Sequence, residues 1–415
     1  STSFHHGPVS APDITAEMMD RFRNSGADVH TTILLGAGAS TTSGLPDWDT
    51  FATRLLLQSR SVLEEETAKL LLSRQDPLIV VEAARVAFGK KWEPKLRNAL
   101  YDGVSSLDPS PLHLAAVGHF LAGKGEDSSL VTLNFDTLLE EAIQGEPHDS
   151  AHAVHHLHGV ITPTRTESVI LTLSDFTSLI AASDSWQSEY FRSALSRGAL
   201  VIAGTSYRDP DVRQWLHAAV HEHRAENSAF VLLAREGFAV SKEDFKRIEI
   251  ALSDQWKAVG LTPVLLQDHS DAAQIIRELR HFHGDDYQSP QERAVEVWHR
   301  HSRDFDELQL KYVERLEVGA ATMKEALDVM KLNLTLWLSD GEGRLARWAA
   351  QDRLYRDFDA LRTVETGHDS PWIGLPDSAS RFESSNLTWG PPLAELADEL
   401  GSLLSSVAFG ESNIE

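Results

Sequence analysis

Thr32–Trp48 reads T-I-L-L-G-A-G-A-S-T-T-S-G-L-P-D-W, and the rest of the chain is best read outward from it. Ile33, Leu34 and Leu35 form an apolar run of the length that suits a buried parallel strand. Gly36, Ala37 and Gly38 follow at once, where small side chains let backbone N–H groups approach a pyrophosphate closely. Ser40 to Ser43 then supply hydroxyls where a helix begins, with its positive end towards the same anion. Strand, glycine turn and helix start are the minimum of a nucleotide cradle, although a G-x-G turn also closes ordinary loops.

The chain has 415 residues, enough for two domains with sizeable cores. Hydrophobic residues make up 42%, and no apolar run is long enough to span a bilayer. Ser1 to Asp13 shows no basic stretch followed by an apolar block, so no secretory signal is read and a cytoplasmic location is expected. The sequence contains no cysteine, which excludes disulfides, thiolate zinc sites and cysteine nucleophiles. A formal net charge of -24 argues against direct nucleic-acid binding over a broad surface.

Apolar strands alternate with helices from Ile33 to Phe282. The strands are read at Ile33–Leu35, Ser129–Asn134, around His155–Gly159, Val169–Leu173, Leu200–Gly204, Phe230–Ala234 and Pro263–Leu266. This pattern predicts a parallel sheet covered on both faces, with functional residues at the carboxyl ends of its strands. Between the first two strands, about residues 48–122, lies a block of helices longer than a minimal crossover, suited to a lid or subdomain. The composition changes at Gly284 to Pro290, which places a boundary between domains 1–285 and 286–415. Beyond it an all-α domain for assembly or partner binding is expected, with helices at Gln291–Val318, Ala320–Leu338, Arg344–Leu361 and Leu393–Val407. Trp298, Phe305, Leu308, Tyr312 and Leu316 recur at helical spacing and read as bundle core.

Several strand ends carry polar residues: Pro46-Asp47 beyond the glycine turn, Thr132-Leu133-Asn134-Phe135-Asp136, Leu157-His158-Gly159 and Gly204-Thr205-Ser206. In a parallel sheet these ends converge on one crevice, where an amide, a carboxylate and an imidazole around a dinucleotide could act on its glycosidic bond. Plainer readings stand beside this. Asn134 and Asp136 suit the cap of a following helix, as Asp47 does, and Gly204-Thr205-Ser206 suits a tight turn. His158 lies among His152, His155 and His156, a cluster conceivable for a metal but not a recognised ligand spacing.

Gly36-Ala37-Gly38-Ala39-Ser40 and Ser43-Gly44-Leu45-Pro46-Asp47 together resemble the sirtuin signature G-A-G-x-S followed by G-I-P-D-F. Thr132-x-Asn134-x-Asp136 is similar to that family's T-Q-N-I-D, His158-Gly159 to its H-G, and Gly204-Thr205-Ser206 to its G-T-S. The sequence departs from deacetylase sirtuins in lacking the four zinc-binding cysteines and an F-G-E segment, and in carrying Asp49 and Leu133 at signature positions. It therefore resembles the cysteine-free, sirtuin-like NAD hydrolases of bacterial anti-phage defence, as Tyr207-Arg208-Asp209-Pro210-Asp211 also does. Its length and tail resemble the subunit paired with a HerA-type ATPase in the system called Nezha.

The resemblance implies a Rossmann-like α/β fold and NAD+ as substrate, with no zinc. It implies cleavage of the nicotinamide–ribose bond, a HerA-type ATPase partner and homo-oligomers, including large rings. By the same resemblance Asn134 orients the ribose and the water, Asp136 holds the carboxamide and His158 acts as base on a ribose hydroxyl. Gly36, Ala37, Gly38, Ser40, Ser43, Pro46, Asp47, Gly204, Thr205 and Ser206 would bind the dinucleotide. Two alternatives remain: a nucleotide-binding scaffold without catalysis, and a protein deacylase or ADP-ribosyltransferase, which the absent cysteines and F-G-E weaken.

Overall fold

The computed structural model describes residues 16–25, 30–104, 106–122, 128–144, 154–182, 185–205, 210–223, 228–267, 269–279, 290–328, 330–340, 344–361, 363–365 and 407–409. The chain divides into two compact units, one of Phe22–Arg280 and one combining Ser1–Arg21 with His281–Glu415.

The first unit is built on strands β1 (Thr31–Leu35), β2 (Ser128–Thr132), β3 (Val154–His156), β4 (Val160–Ile161), β5 (Thr166–Glu167), β6 (Ala199–Ala203), β7 (Ala229–Ala234) and β8 (Thr262–Leu266). Six of them form one sheet in the order β3-β2-β1-β6-β7-β8, and every pairing in it is parallel. The fold is therefore mixed α/β and Rossmann-like, as the alternation of apolar strands and helices predicts. β1, β6 and β7 are buried along their whole length, which is why they read as unbroken apolar runs. One core joins sheet residues Leu34, Val131, Ile202 and Val231 to Phe191 and Trp215 of the covering helices.

The chain leaves β1 towards β2 and β3 on one side and returns through β6 to β7 and β8 on the other. The switch in strand order thus falls between β1 and β6, where an open α/β sheet leaves a crevice at its carboxyl edge. Helices Trp48–Ser59, Glu65–Arg74, Pro77–Phe88 and Trp92–Tyr101 make up the inserted block. Their core, with Phe51, Leu55, Leu96 and Leu100, includes Leu138 and Ile161 from beside the sheet. The block is thereby packed onto the part of the unit that follows β2 and β3.

Two expectations within this unit change. Val169–Leu173 is not a strand: the Thr172 side chain accepts from the Asp175 amide and Asp175 answers it, a capping box that starts the helix Leu173–Ala181. β4 and β5 pair antiparallel instead, in a small hairpin just upstream.

The second unit differs from the all-α domain expected of it. Helices Pro290–Arg303 and Phe305–Leu327 are followed by β9 (Leu334–Ser339), β10 (Arg344–Ala350), β11 (Thr363–Glu365) and β12 (Val407–Phe409). These strands form an antiparallel sheet in the order β11-β10-β9-β12, so the helix expected at Ala320–Leu338 holds only to Leu327 and gives way to β9, and the one expected at Arg344–Leu361 begins as the strand β10. Leu334, Leu336 and Leu338 alternate into a core with Trp348, Phe305, Tyr312 and Leu316. The aromatic stripe is core, as read, but it packs on a sheet. The helix expected at Leu393–Val407 lies outside the described residues except for Val407, which is in β12.

Candidate active site

The site is assembled by the sheet register. Leu35 pairs with Ala203 and with Thr132, and Thr132 pairs with His156. Gly36, Gly204, Asn134 and His158 each stand one or two residues past those partners. The sheet therefore brings the carboxyl ends of β3, β2, β1 and β6 into one row, with the candidate residues on the turns that leave it.

At the first turn, Gly36 N–H donates to Ala203 O at 2.9 Å and Gly38 N–H to Gly204 O at 2.6 Å. These bonds lock the glycine turn onto the end of β6. A Cβ on Gly36 would lie 2.6 Å from the Thr205 methyl and 2.8 Å from Gly204 O, so no other residue fits there. The turn is glycine-rich because β6 crowds it, and two of its amides are already committed to protein carbonyls. The Ala37 amide, first in the short helix Ala37–Thr42, has no partner among the described residues.

The second turn carries a polar network. Asn134 Nδ2 donates to Gly36 O and to Ser40 Oγ, both at 2.8 Å, and Ser40 Oγ donates to Asp136 Oδ2 at 2.5 Å. The other Asp136 oxygen accepts the Leu138 amide at 3.0 Å, starting the helix Leu138–Gln144. The Asn134 amide donates to Thr132 Oγ1, and that hydroxyl donates to Leu35 O, each at 3.0 Å. Asn134, Asp136 and Ser40 are all buried. Asp136 is thus a cap, as the plainer reading has it, and also a member of the network.

His158 is buried, with its ring edge-on to Phe176 at 5.6 Å and near Trp215 at 6.5 Å. Gly159 follows with φ +87, and a Cβ there would overlap the carbonyls of Glu167 and Ser168. H-G is therefore a structural pair: the glycine admits the β4–β5 hairpin against the turn that presents the imidazole. The neighbouring histidines diverge. His155 packs against Tyr190 with tilted rings 4.7 Å apart, His156 lies between Glu140 and Asn134, and His152 is outside the described residues. Among the described residues no group of three or more His, Asp or Glu could hold a metal ion.

Other sequence candidates fare differently. Asp47 caps the helix Trp48–Ser59 through a 2.8 Å bond from the Thr50 amide. Ser43 Oγ is buried and has no partner among the described residues. Pro46 is half-buried beside the cap, and Thr205 is buried at the end of β6. Ser206 lies outside the described residues, as do Tyr207, Arg208 and Asp209.

The structure adds residues the motifs do not name. His113, on the helix Pro111–Ala122, accepts the Ser110 amide on Nδ1 at 2.9 Å. Burial holds its pKa below the usual histidine range, against the upward pull of Asp136 and Glu140, so the neutral ring carries its proton on Nε2. Tyr101 donates to Ile161 O, and burial together with the nearby Asp136 carboxylate pushes its phenol well up. His269 lies at the Gly38 side of the turn, where its ring fills the space that a Cβ on Gly38 would need. Ser110 three residues before His113 is a legible cap signal, whereas Tyr101 and His269 are placed by tertiary packing alone.

No helix among the described residues is long and apolar enough to cross a membrane. No curated protein matches the sequence. The stretch from β2 into β8, residues 128–264, matches the family model described as SIR2-like domain, which supports a sirtuin-like family and an NAD-related activity for the parallel-sheet unit.

Proposed function

We propose that this chain is an NAD+ glycohydrolase, cleaving the nicotinamide–ribose bond to give nicotinamide and ADP-ribose. The observation that carries the proposal is the row of strand ends at the β1/β6 switch point: the glycine turn, the Ser40–Asn134–Asp136 network and His158, all from adjacent strands. Polar capacity remains unspent there, on the Ala37 amide, Ser43 Oγ and Asn134 Oδ1, as a dinucleotide-binding turn requires.

The chemistry needs little more. Nicotinamide leaves as a neutral group from a pyridinium, so no acid has to protonate it, and the ribosyl centre passes through an oxocarbenium-like state before water adds. A fixed amide and carboxylate can hold the ribose and the carboxamide while that charge develops. His158 would take a ribose hydroxyl proton, a role worth about a hundred- to ten-thousandfold in rate. The role proposed in the cell is anti-phage defence by NAD depletion, with a HerA-type ATPase as partner and the second unit serving assembly in a homo-oligomer.

The test is loss of NAD+ and release of nicotinamide by the purified chain, alone and with such an ATPase. Loss is expected in at least one condition, and Asn134→Ala and His158→Ala should each abolish it. No loss in either condition, or full loss in both variants, would defeat the proposal. A second reading, a nucleotide-binding scaffold without turnover, is favoured by how fully Asn134 Nδ2, Asp136 and the Gly36 and Gly38 amides are already bonded. Calorimetric binding of NAD+ with no turnover in the assembled complex would select it.

A further inference from the structure

We propose that His156 is a positioning residue for Asn134, clamping it as an imidazolium that donates from both ring nitrogens. The inference rests on the reading of Asn134 as part of an NAD-cleaving site. His156 ends β3, opposite Thr132 of β2, two residues before the turn that presents His158. Its Nδ1 lies 3.1 Å from Asn134 O and its Nε2 lies 2.5 Å from Glu140 Oε1. Asn134 O is a carbonyl, and a Glu140 carboxylate likewise only accepts. A neutral ring has one N–H, so it would set a ring lone pair against one of the two oxygens. Only a proton shared by the His156–Glu140 pair satisfies both contacts.

The surroundings retain that proton. The His156 side chain is 8% exposed, so burial alone would discharge it, but the bonded Glu140 carboxylate, the Asn134 carbonyl and Asp136 outweigh burial and raise its pKa. His155, next on β3, packs on Tyr190 instead. On the helix Pro111–Ala122, His113 faces the same two carboxylates and is held neutral by burial, so it brings no competing charge. Glu140 Oε2 is buried with no partner among the described residues, so loss of the imidazolium strands a carboxylate with few other donors.

The clamp complements the other bonds to Asn134. Thr132 fixes its amide, and Gly36 O and Ser40 Oγ fix its side chain. Among the described residues, His156 alone holds its carbonyl, from β3. As the ring loses its proton, its one remaining N–H can serve only one of the two oxygens, and the Asn134 turn is held less firmly against the ribose.

The experiment uses the full chain, with its ATPase partner if turnover requires one, and NAD+ as the probe across pH. The parent should lose rate on the alkaline side. His156→Gln should lower kcat by roughly ten- to a hundredfold with little change in KM, and should lack the alkaline limb. Glu140→Gln should keep the acid-side rate and move the limb to lower pH. An undiminished rate with an unchanged limb in His156→Gln overturns the proposal.

A readout independent of activity separates this inference from the NAD reading. Nitrogen-15 spectra of the histidine rings should show His156 protonated on both nitrogens at about pH 6, and still so at a pH where an unperturbed imidazole has lost half its protons. The Asn134 side-chain amide signals should shift in His156→Gln. A singly protonated His156, or unmoved Asn134 signals, overturns the clamp whatever the protein does to NAD+. Both signatures in a protein that releases no nicotinamide at any pH support the clamp and defeat the NAD reading.

Discussion

Ser40 is the residue on which the site's polar network turns, since its one hydroxyl accepts from Asn134 and donates to Asp136. Ser40→Ala would leave Asp136 Oδ2 and one Asn134 N–H buried without those partners. The expected loss is about 2 kcal/mol of unfolding free energy, measured by urea denaturation. Glycine positions separate two effects. Gly44 has φ +103 and nothing within 4 Å of where a methyl would stand, so Gly44→Ala should cost only the backbone term, about 1 kcal/mol. Gly159 has φ +87 and two carbonyls that an added methyl would overlap, so Gly159→Ala should cost about 3 kcal/mol or more in the same assay. Equal losses at the two sites would show that the hairpin carbonyls yield. His156 also ties stability to pH. Its pKa is raised on folding above the ordinary 6.5, so its contribution is complete below that value and disappears as pH rises through the raised one. The difference in unfolding free energy between the parent and His156→Gln should therefore shrink from about pH 6.5 upward.

At the scale of elements, end signals decide what apolar content leaves open. Asp47 accounts for itself as a cap, so Asp47→Ala should cost about 1 kcal/mol while Asp47→Ser, which keeps a capping oxygen, costs little. NAD+ turnover in Asp47→Ser should stay within about twofold of the parent, well short of the loss expected for a residue that holds the transition state. A tenfold fall in turnover at unchanged stability would return Asp47 to the ligand. The same signals explain what is legible in the sequence. β1, β6 and β7 are buried on both faces, so their apolar runs stand out, and the residues just past them form the candidate site. Val169–Leu173 is equally apolar, yet the Thr172–Asp175 box overrides that content and starts a helix. In β9 the period is on display, with Leu334, Leu336 and Leu338 entering the core at every second position before the Asp340-Gly341 turn signal, whereas in β10 a register shift between Arg347 and Ala349 breaks the period and buries Trp348, Ala349 and Ala350 in succession. Leu and Ala also favour helix, and local propensity there points against the tertiary outcome. The His156–Glu140 pair has no local signal, because its partners come together only when β3 pairs with β2.

At the scale of the molecule, every residue placed in the site belongs to the unit Phe22–Arg280, and so does the core that positions it. Among the described residues, all six strands of the parallel sheet belong to that unit. Phe22 opens it, fully buried and 4.2 Å from the ring of Phe230 on β7, so a fragment has to include the helix Ala16–Asn24. A chain of residues 16–280 should therefore fold alone, because among the described residues its sheet strands pair with each other and its core is built from its own strands and helices. The expected outcome is a single cooperative urea transition and NAD+ binding by calorimetry within about threefold of the full chain, a difference of under 1 kcal/mol. Association with a HerA-type ATPase, and the oligomer itself, should be lost with the second unit if that unit serves assembly. A fragment that unfolds without cooperativity would mean that the second unit completes the first, and the site would then have to be described on the whole chain. A fragment that folds, binds NAD+ and still joins the ATPase would move the assembly surface onto the parallel-sheet unit.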